Sequence, residues 1–236
     1  MNELSANNLN PNDSIALWYE KYYGLVNLGG QNAKFANQII HRTLERRYSD
    51  NSYLRILEVG INEGEHIPYV SETWENGGKY VGIDLRKPPN QILKYFSKKN
   101  IQFSKQNVEN LSFKSNYFDR VIVTCVLHHT NNPVNAMQEI RRVTKVGGTI
   151  DILLPNDPGF MYRTLAFFSS GIKAKKLKVF PLYKIVKALE HKNHYLSLIS
   201  LLKSVFCNDY LKFTFFPLKI KSYSLNIFTF IHVIKK

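Results

Sequence analysis

The sequence predicts an α/β protein built on a doubly wound, mostly parallel sheet of seven strands with one antiparallel member. Three observations carry this reading. Short apolar runs alternate with helical stretches five times between Leu54 and Leu154. One of them, Val121-Ile-Val-Thr-Cys-Val-Leu127, is almost continuous, as suits a strand covered on both faces. The first run enters a turn holding Gly60 and Gly64, and the second ends in an acid, Asp84. In doubly wound sheets such turns face a ligand at the carboxyl ends of the strands.

The elements follow in order. Residues 1–14 read as a flexible N-terminal segment, and 15–236 as a single domain. Ile15 to Leu28, rich in Trp18, Tyr19, Tyr22 and Tyr23, is expected to cover one edge of the site. Gln31 to Arg47 has helical rhythm at Phe35, Ile39, Ile40 and Leu44. Ser49 to Ser52 is a turn. Leu54 to Val59 is the first strand; Gly64 to Trp74 reads as a helix stopped by Asn76-Gly77-Gly78. Tyr80 to Asp84 is the second strand, and a short helix is expected from Gln91 to Phe96. Ile101 to Ser104 and Phe118 to Leu127 are the third and fourth strands. Asn132 to Thr144 is an amphipathic helix ended by Gly147-Gly148, and Thr149 to Leu154 is the fifth strand. Residues 156–210 read as a basic helical insertion between strands five and six. Leu211 to Phe216 and Leu225 to Val233 close the sheet, with an antiparallel strand at that end.

Composition narrows the functional classes. Hydrophobic residues make up 44%, so the chain can build a core. No apolar run reaches the roughly 18 to 20 residues of a spanning helix. The polar start, Met1 to Asp13, does not read as a signal peptide. Cys125 and Cys207 are too few for a disulfide framework or a metal cage, which suggests a cytoplasmic setting. The net charge of +14 is uneven: after residue 159 there are fourteen Lys and Arg against two acids, and before it eighteen against sixteen. Such asymmetry suits an anionic partner for the last third: a phosphate-bearing small molecule, an anionic membrane or a nucleic acid. A solvated cationic face is the plainer alternative.

The chemistry sits in the glycine turn. Gly60 and Gly64 let backbone approach a ligand, and Asn62 tolerates positive φ. Asp84, 24 residues after Gly60, is spaced to accept from two ribose hydroxyls. Glu58, Glu63 and Glu65 would repel a pyrophosphate but not an ammonium or sulfonium. That sign favours S-adenosylmethionine over a nicotinamide cofactor.

Glu58-Val-Gly60-Ile-Asn62-Glu-Gly64 resembles the first motif, E/D-x-G-x-G-x-G, of the class I S-adenosylmethionine-dependent methyltransferases, with Asn62 in place of the middle glycine. Gly82-Ile-Asp84 resembles the second. Gln106-Asn107-Val108-Glu109-Asn110-Leu111 is similar to the G-D-A-E-x-L stretch whose acid reads the adenine amino group; Asn107 replaces that acid. Phe118-Asp119-Arg120-Val-Ile-Val, Val126-Leu-His128-His129 and Arg141-Arg-Val-Thr-Lys-Val-Gly147-Gly148 follow in family order. The resemblance covers roughly residues 54 to 155 closely. It implies a Rossmann-like methyltransferase domain over residues 15–236 and S-adenosyl-L-methionine as donor, with S-adenosyl-L-homocysteine as product. Glu58, Gly60, Asn62, Gly64, Asp84, Leu85, Asn107 and Val108 are the donor-binding positions it implies. Beyond residue 155, Pro155-Asn-Asp-Pro158-Gly159 and Glu190-His191-Lys-Asn193-His194-Tyr195 look similar to a bacterial branch associated with surface-polysaccharide synthesis.

The acceptor side is sketched more thinly. His128 and His129 follow the fourth strand, where donor and acceptor meet, and a neutral imidazole there can take a hydroxyl proton. Packing and helix capping are the alternative roles. Tyr162, Arg163, His191 and His194 are the candidate acceptor contacts; Arg163 is equally suited to a surface ion pair. No third ligand stands at recognisable spacing from His191 and His194, so no metal is expected. The expected reaction is O-methylation of a sugar hydroxyl on an anionic glycoconjugate, with peripheral contact at the inner membrane surface as a compatible addition. A nucleic-acid acceptor is less favoured, since no Asn/Asp-Pro-Pro-Tyr/Phe motif is found. A non-catalytic binding protein is the other rival. Nothing in the sequence sets the oligomeric state.

Overall fold

The computed structural model describes residues 10–28, 31–48, 54–62, 64–70, 77–87, 95–96 and 100–236. Helix α1 (Pro11–Leu17) starts four residues before the expected domain boundary, because Asn10 caps it by accepting the Asp13 N–H. It runs on through π-type turns at Trp18–Tyr22 and Gly24–Leu28. Helix α2 spans Gln31–Tyr48. Strand β1 (Arg55–Val59) lies at the centre, flanked in parallel by β2 (Lys79–Asp84) and β4 (Phe118–Thr124), with β3 (Ile101–Lys105) beyond β2. Helix α3 (Pro133–Val143) leads to the long β5 (Thr144–Pro155), parallel to β4. The insertion holds α4 (Phe160–Ala166), α5 (Ile172–Lys176), α6 (Phe180–Glu190) and α7 (Tyr195–Val205). Strands β6 (Tyr210–Phe216) and β7 (Phe228–Ile234) complete the sheet in the order β3-β2-β1-β4-β5-β7-β6, and only β7 is antiparallel.

Alternation along β1 builds the two faces. Leu57 and Val59 join Val121, Val123, Met137, Ile140, Leu198 and Leu202 under α3 and α7. Ile56 joins Ile122, Leu153, Phe230 and the α2 residues Ile40 and Leu44 on the other side. A third cluster ties Trp18 and Val26 to Ala174, Leu182 and Val186, so the N-terminal helix and the insertion pack as one cover.

Two sequence expectations are corrected. Gly64 to Trp74 is not a continuous helix: tight turns lead into a single 3-10 turn at Ile67–Tyr69, and residues 71–76 lie outside the described residues. Gly147-Gly148 does not end α3. The helix stops at Val143, Thr144 is already extended, and Gly147 sits inside β5 at φ +76° beside a register shift against β4. The expected turn at Ser49 to Ser52 and most of the Gln91 to Phe96 helix lie outside the described residues.

Candidate functional site

The strand order reverses between β1 and β4, and a cavity of about 1000 Å³ opens at their carboxyl ends. Its floor is the β1 turn. Gly60 and Ile61 both donate their N–H groups to the Ile83 carbonyl (2.8 and 3.1 Å), which clamps the turn onto β2. Gly60 adopts φ +75°, and a Cβ there would lie 2.2 Å from a methyl of Val126. The glycine is therefore required by the neighbouring turn after β4 as well as by its own backbone. Asn62, at φ +46°, donates its N–H to Asp84 Oδ2 (3.1 Å), while Arg86 donates its N–H to Oδ1 (3.0 Å). Each Asp84 oxygen keeps a lone pair for a further donor.

Glu58 is buried beneath this floor and accepts a hydrogen bond from the Tyr80 hydroxyl. Burial pushes its carboxyl up to about 8, against the Tyr80 bond and helped by the nearby Glu65, Glu45 and Asp84 charges. Glu58, Glu65, Asp84 and Glu109 all line the cavity, so the end beside the β1 turn is acidic. Leu85, Asn107 and Val108 line it too. Asn107 Oδ1 already accepts the Glu109 N–H (3.0 Å), and Glu109 Oε1 in turn accepts the Asn131 N–H (2.7 Å). Gly64, at φ +69°, closes the turn through its N–H to the Ile61 carbonyl and lies off the lining.

The opposite wall comes from the insertion. Asn193 fixes it to the turn after β4: its side chain donates to the Leu127 and Thr130 carbonyls and its N–H to the His128 carbonyl. His129 lines the cavity, with Nδ1 donating to the Glu190 carbonyl (2.8 Å), so Nε2 carries the lone pair. Burial and the neighbouring His191 hold its proton affinity below the usual imidazole range. His128 is buried behind it and does not reach the lining. Tyr162 and His191 do; Arg163 points outward into an ion pair with Asp157 (3.4 Å), and exposed His194 precedes α7 away from the cavity.

Tyr19 lies in the segment expected to edge the site, but the pairings made by several lining residues were not anticipated. Tyr19 donates to Glu190 Oε2 (2.8 Å) and stacks under Arg86, whose Cζ lies 3.9 Å from the ring centroid. Lys187 sits 4.8 Å over the Tyr162 ring, and burial lowers its proton affinity. These pair residues far apart in sequence, with no local spacing to announce them.

Comparison with known proteins agrees with this geometry. Residues 57–152 match the family described as a methyltransferase domain. Over 146 residues the chain is 30% identical to the demethylmenaquinone methyltransferase of Lactococcus lactis, covering 56% of this chain and 58% of that protein. It is 29% identical over 148 residues to the ubiquinone/menaquinone biosynthesis C-methyltransferase UbiE of Coxiella burnetii, covering 60% of this chain and 57% of that one. The chain thus spans less than two thirds of these curated relatives. An S-adenosylmethionine-dependent methyltransferase from Thermotoga maritima superposes with a TM-score of 0.57 at 17% identity, covering 96% of this chain and all of the other. Residues 57–152 are thus similar to a methyltransferase domain, and the chain shares the fold of that Thermotoga maritima structure.

Proposed function

We propose that this chain transfers a methyl group from S-adenosylmethionine to an acceptor held beneath the helical cover. The observation that carries the proposal is the acidic floor: Asp84 and Glu58 stand at adjacent strand ends in a cavity large enough for a nucleoside and a second molecule. Asp84 is suited to accept from the ribose hydroxyls through its remaining lone pairs. Glu58 offers a countercharge to the amino acid's ammonium. Asn107 is left with its amide N–H groups and one carbonyl lone pair for the adenine edge. When bound, the donor supplies an activated methyl on a sulfonium; the protein aligns the acceptor with it and excludes water.

His129 is the base of this reading. Its Nε2 lone pair is available at neutral pH because its Nδ1–H is committed to Glu190. Trp18, Tyr19, Tyr162, Tyr183 and Phe228 line the acceptor half, which suits a flat hydroxylated ring. Removing a ring hydroxyl proton would make the adjacent carbon nucleophilic, and the quinone relatives named above support that acceptor class. A second reading, a sugar hydroxyl on an anionic glycoconjugate, is favoured by Lys187 and Lys192 on the same wall. The glycan expectation has no counterpart among those relatives.

Membrane contact belongs to the proposal as well. Among the described residues, no helix is long and apolar enough to cross a membrane. Phe160, Leu165, Phe168 and Leu177 are nevertheless exposed on the insertion, beside exposed Lys175, Lys176, Lys178 and Lys184. Leu165 also lines the cavity, which would join that face to the acceptor half.

A panel of demethylated quinols, nucleotide sugars, glycolipids and nucleic acids, offered with labelled methyl donor, tests the reading. Label on a quinol or sugar supports it. Label on nucleic acid alone, with steep salt dependence, overturns the acceptor assignment. Donor binding with no transfer to any member favours a non-catalytic protein.

A further inference from the structure

His128, His129 and His191 meet where the turn after β4 abuts the end of α6. One nitrogen of each ring lies within 4.8 Å of the other two, and ring centroids are 3.9, 4.7 and 5.4 Å apart. Sequence spacing predicted no metal, because His191 reaches the pair only through the fold. Two features set this cluster apart from casual packing. His128 Nδ1 is buried without a hydrogen-bond partner among the described residues, a costly state for a polar atom. The other two rings are each oriented through Nδ1: His129 by the Glu190 carbonyl (2.8 Å), His191 by Asp157 Oδ2 (3.0 Å). A carbonyl or carboxylate behind the ring is the usual support for a metal-bound imidazole, because it fixes the tautomer and aims the other nitrogen.

We infer that His128, His129 and His191 form a binding site for a divalent transition ion such as Zn²⁺, with an open coordination position on the cavity wall; a bound ion takes up the His129 Nε2 lone pair, so the metal-loaded state and the base role proposed above are mutually exclusive states of that imidazole. Three neutral imidazoles suit that ion. Zn–N bonds of about 2.0–2.1 Å put tetrahedral ligands roughly 3.3 Å apart, so the rings must close by up to about 1.5 Å. His129 and His191 both line the cavity, so binding requires a shift of the two rings toward His128 that keeps their Nδ1 contacts. The Asp157 and Glu190 carboxylates flank the site and favour a cation; Lys187 opposes it.

The site is tested by calorimetric titration of Zn²⁺ into the untagged, chelator-treated full chain, a readout independent of methyl transfer. One ion per chain is expected, with Kd below about 1 µM and at least a tenfold loss in His129→Ala and in His191→Ala. His128→Ala risks the core, so the two cavity-side variants, checked for an unchanged melting temperature, decide the matter. Binding no tighter than about 100 µM, or binding equal in both variants and the parent, overturns the inference.

Discussion

Asp84 holds two backbone N–H groups, one from the β1 turn and one from its own strand end, so the same carboxylate shapes the floor and faces the cavity. Asp84→Ala should therefore weaken S-adenosylmethionine binding about 100-fold or more, since the ribose hydroxyls lose a charged acceptor and the β1 turn loses its tie to β2. Glu58 gives a pH signature. Its folded-state value of about 8 lies above the ordinary 4.5, so the folded protein carries a proton that an ammonium ligand must displace. Donor affinity should rise from pH 6 to about 8 and then level off, and Glu58→Gln should abolish that slope in calorimetry. The same sign makes the parent lose stability as pH rises from about 4.5 to about 8, so Glu58→Gln should melt several degrees higher at pH 8. An equal melting temperature there would contradict the buried-acid account. Gly60→Ala meets both a positive φ and the Val126 methyl, and a loss of about 2 kcal/mol or more is expected from chemical denaturation.

The central strand β4 was legible because its apolar run is almost continuous, and α3 because its period is clean. The stretch after Gly64 misled because its apolar spacing is helical, yet Gly64 at positive φ and Pro68 hold it to turns. Gly147-Gly148 misled because a glycine pair signals a helix end as readily as a bulge. The insertion was recognisable by charge, but its attachment was not: Asn193 reaches three carbonyls of the β4 turn across the fold. Asn193→Ala should loosen that wall, raising acceptor KM while leaving donor affinity within about twofold; a large donor effect would mean the wall also shapes the floor. The outer lysines belong to the same insertion. Replacing Lys175, Lys176, Lys178 and Lys184 with Glu should abolish co-sedimentation with anionic vesicles. Equal sedimentation of parent and variant would remove the membrane from the account.

Beneath the site, a buried chain of charges links opposite elements. Arg120 bridges Glu45 on α2 (2.8 Å) and Asp151 on β5 (2.6 Å); His66 donates to Glu45, and His232 binds Asp151. The sequence gives no warning of a buried arginine inside a strand. Arg120→Met should cost about 3–5 kcal/mol, because two buried carboxylates lose their cation. Burial alone would raise the Glu45 carboxyl, but the His66 hydrogen bond and the Arg120 charge prevail and hold it at about 2. A depressed acid stabilises the fold above its unfolded value, so about 3 kcal/mol should disappear as pH falls from about 4.5 to about 2; Glu45→Gln should flatten that loss in melting scans. The half of the cavity proposed to hold the donor was readable because it is local, a turn and two strand ends. On the opposite wall His129, Tyr162 and His191 were named from the sequence and line the cavity, but their meeting with Tyr19 and Lys187 was not foreseen, since these residues come together only after the cover has packed. The most direct test of the whole account is calorimetry of S-adenosylmethionine against the parent and Asp84→Ala chains. Saturable binding by the parent and its near loss in the variant are predicted; equal affinity in the two, or no binding by the parent, contradicts the account.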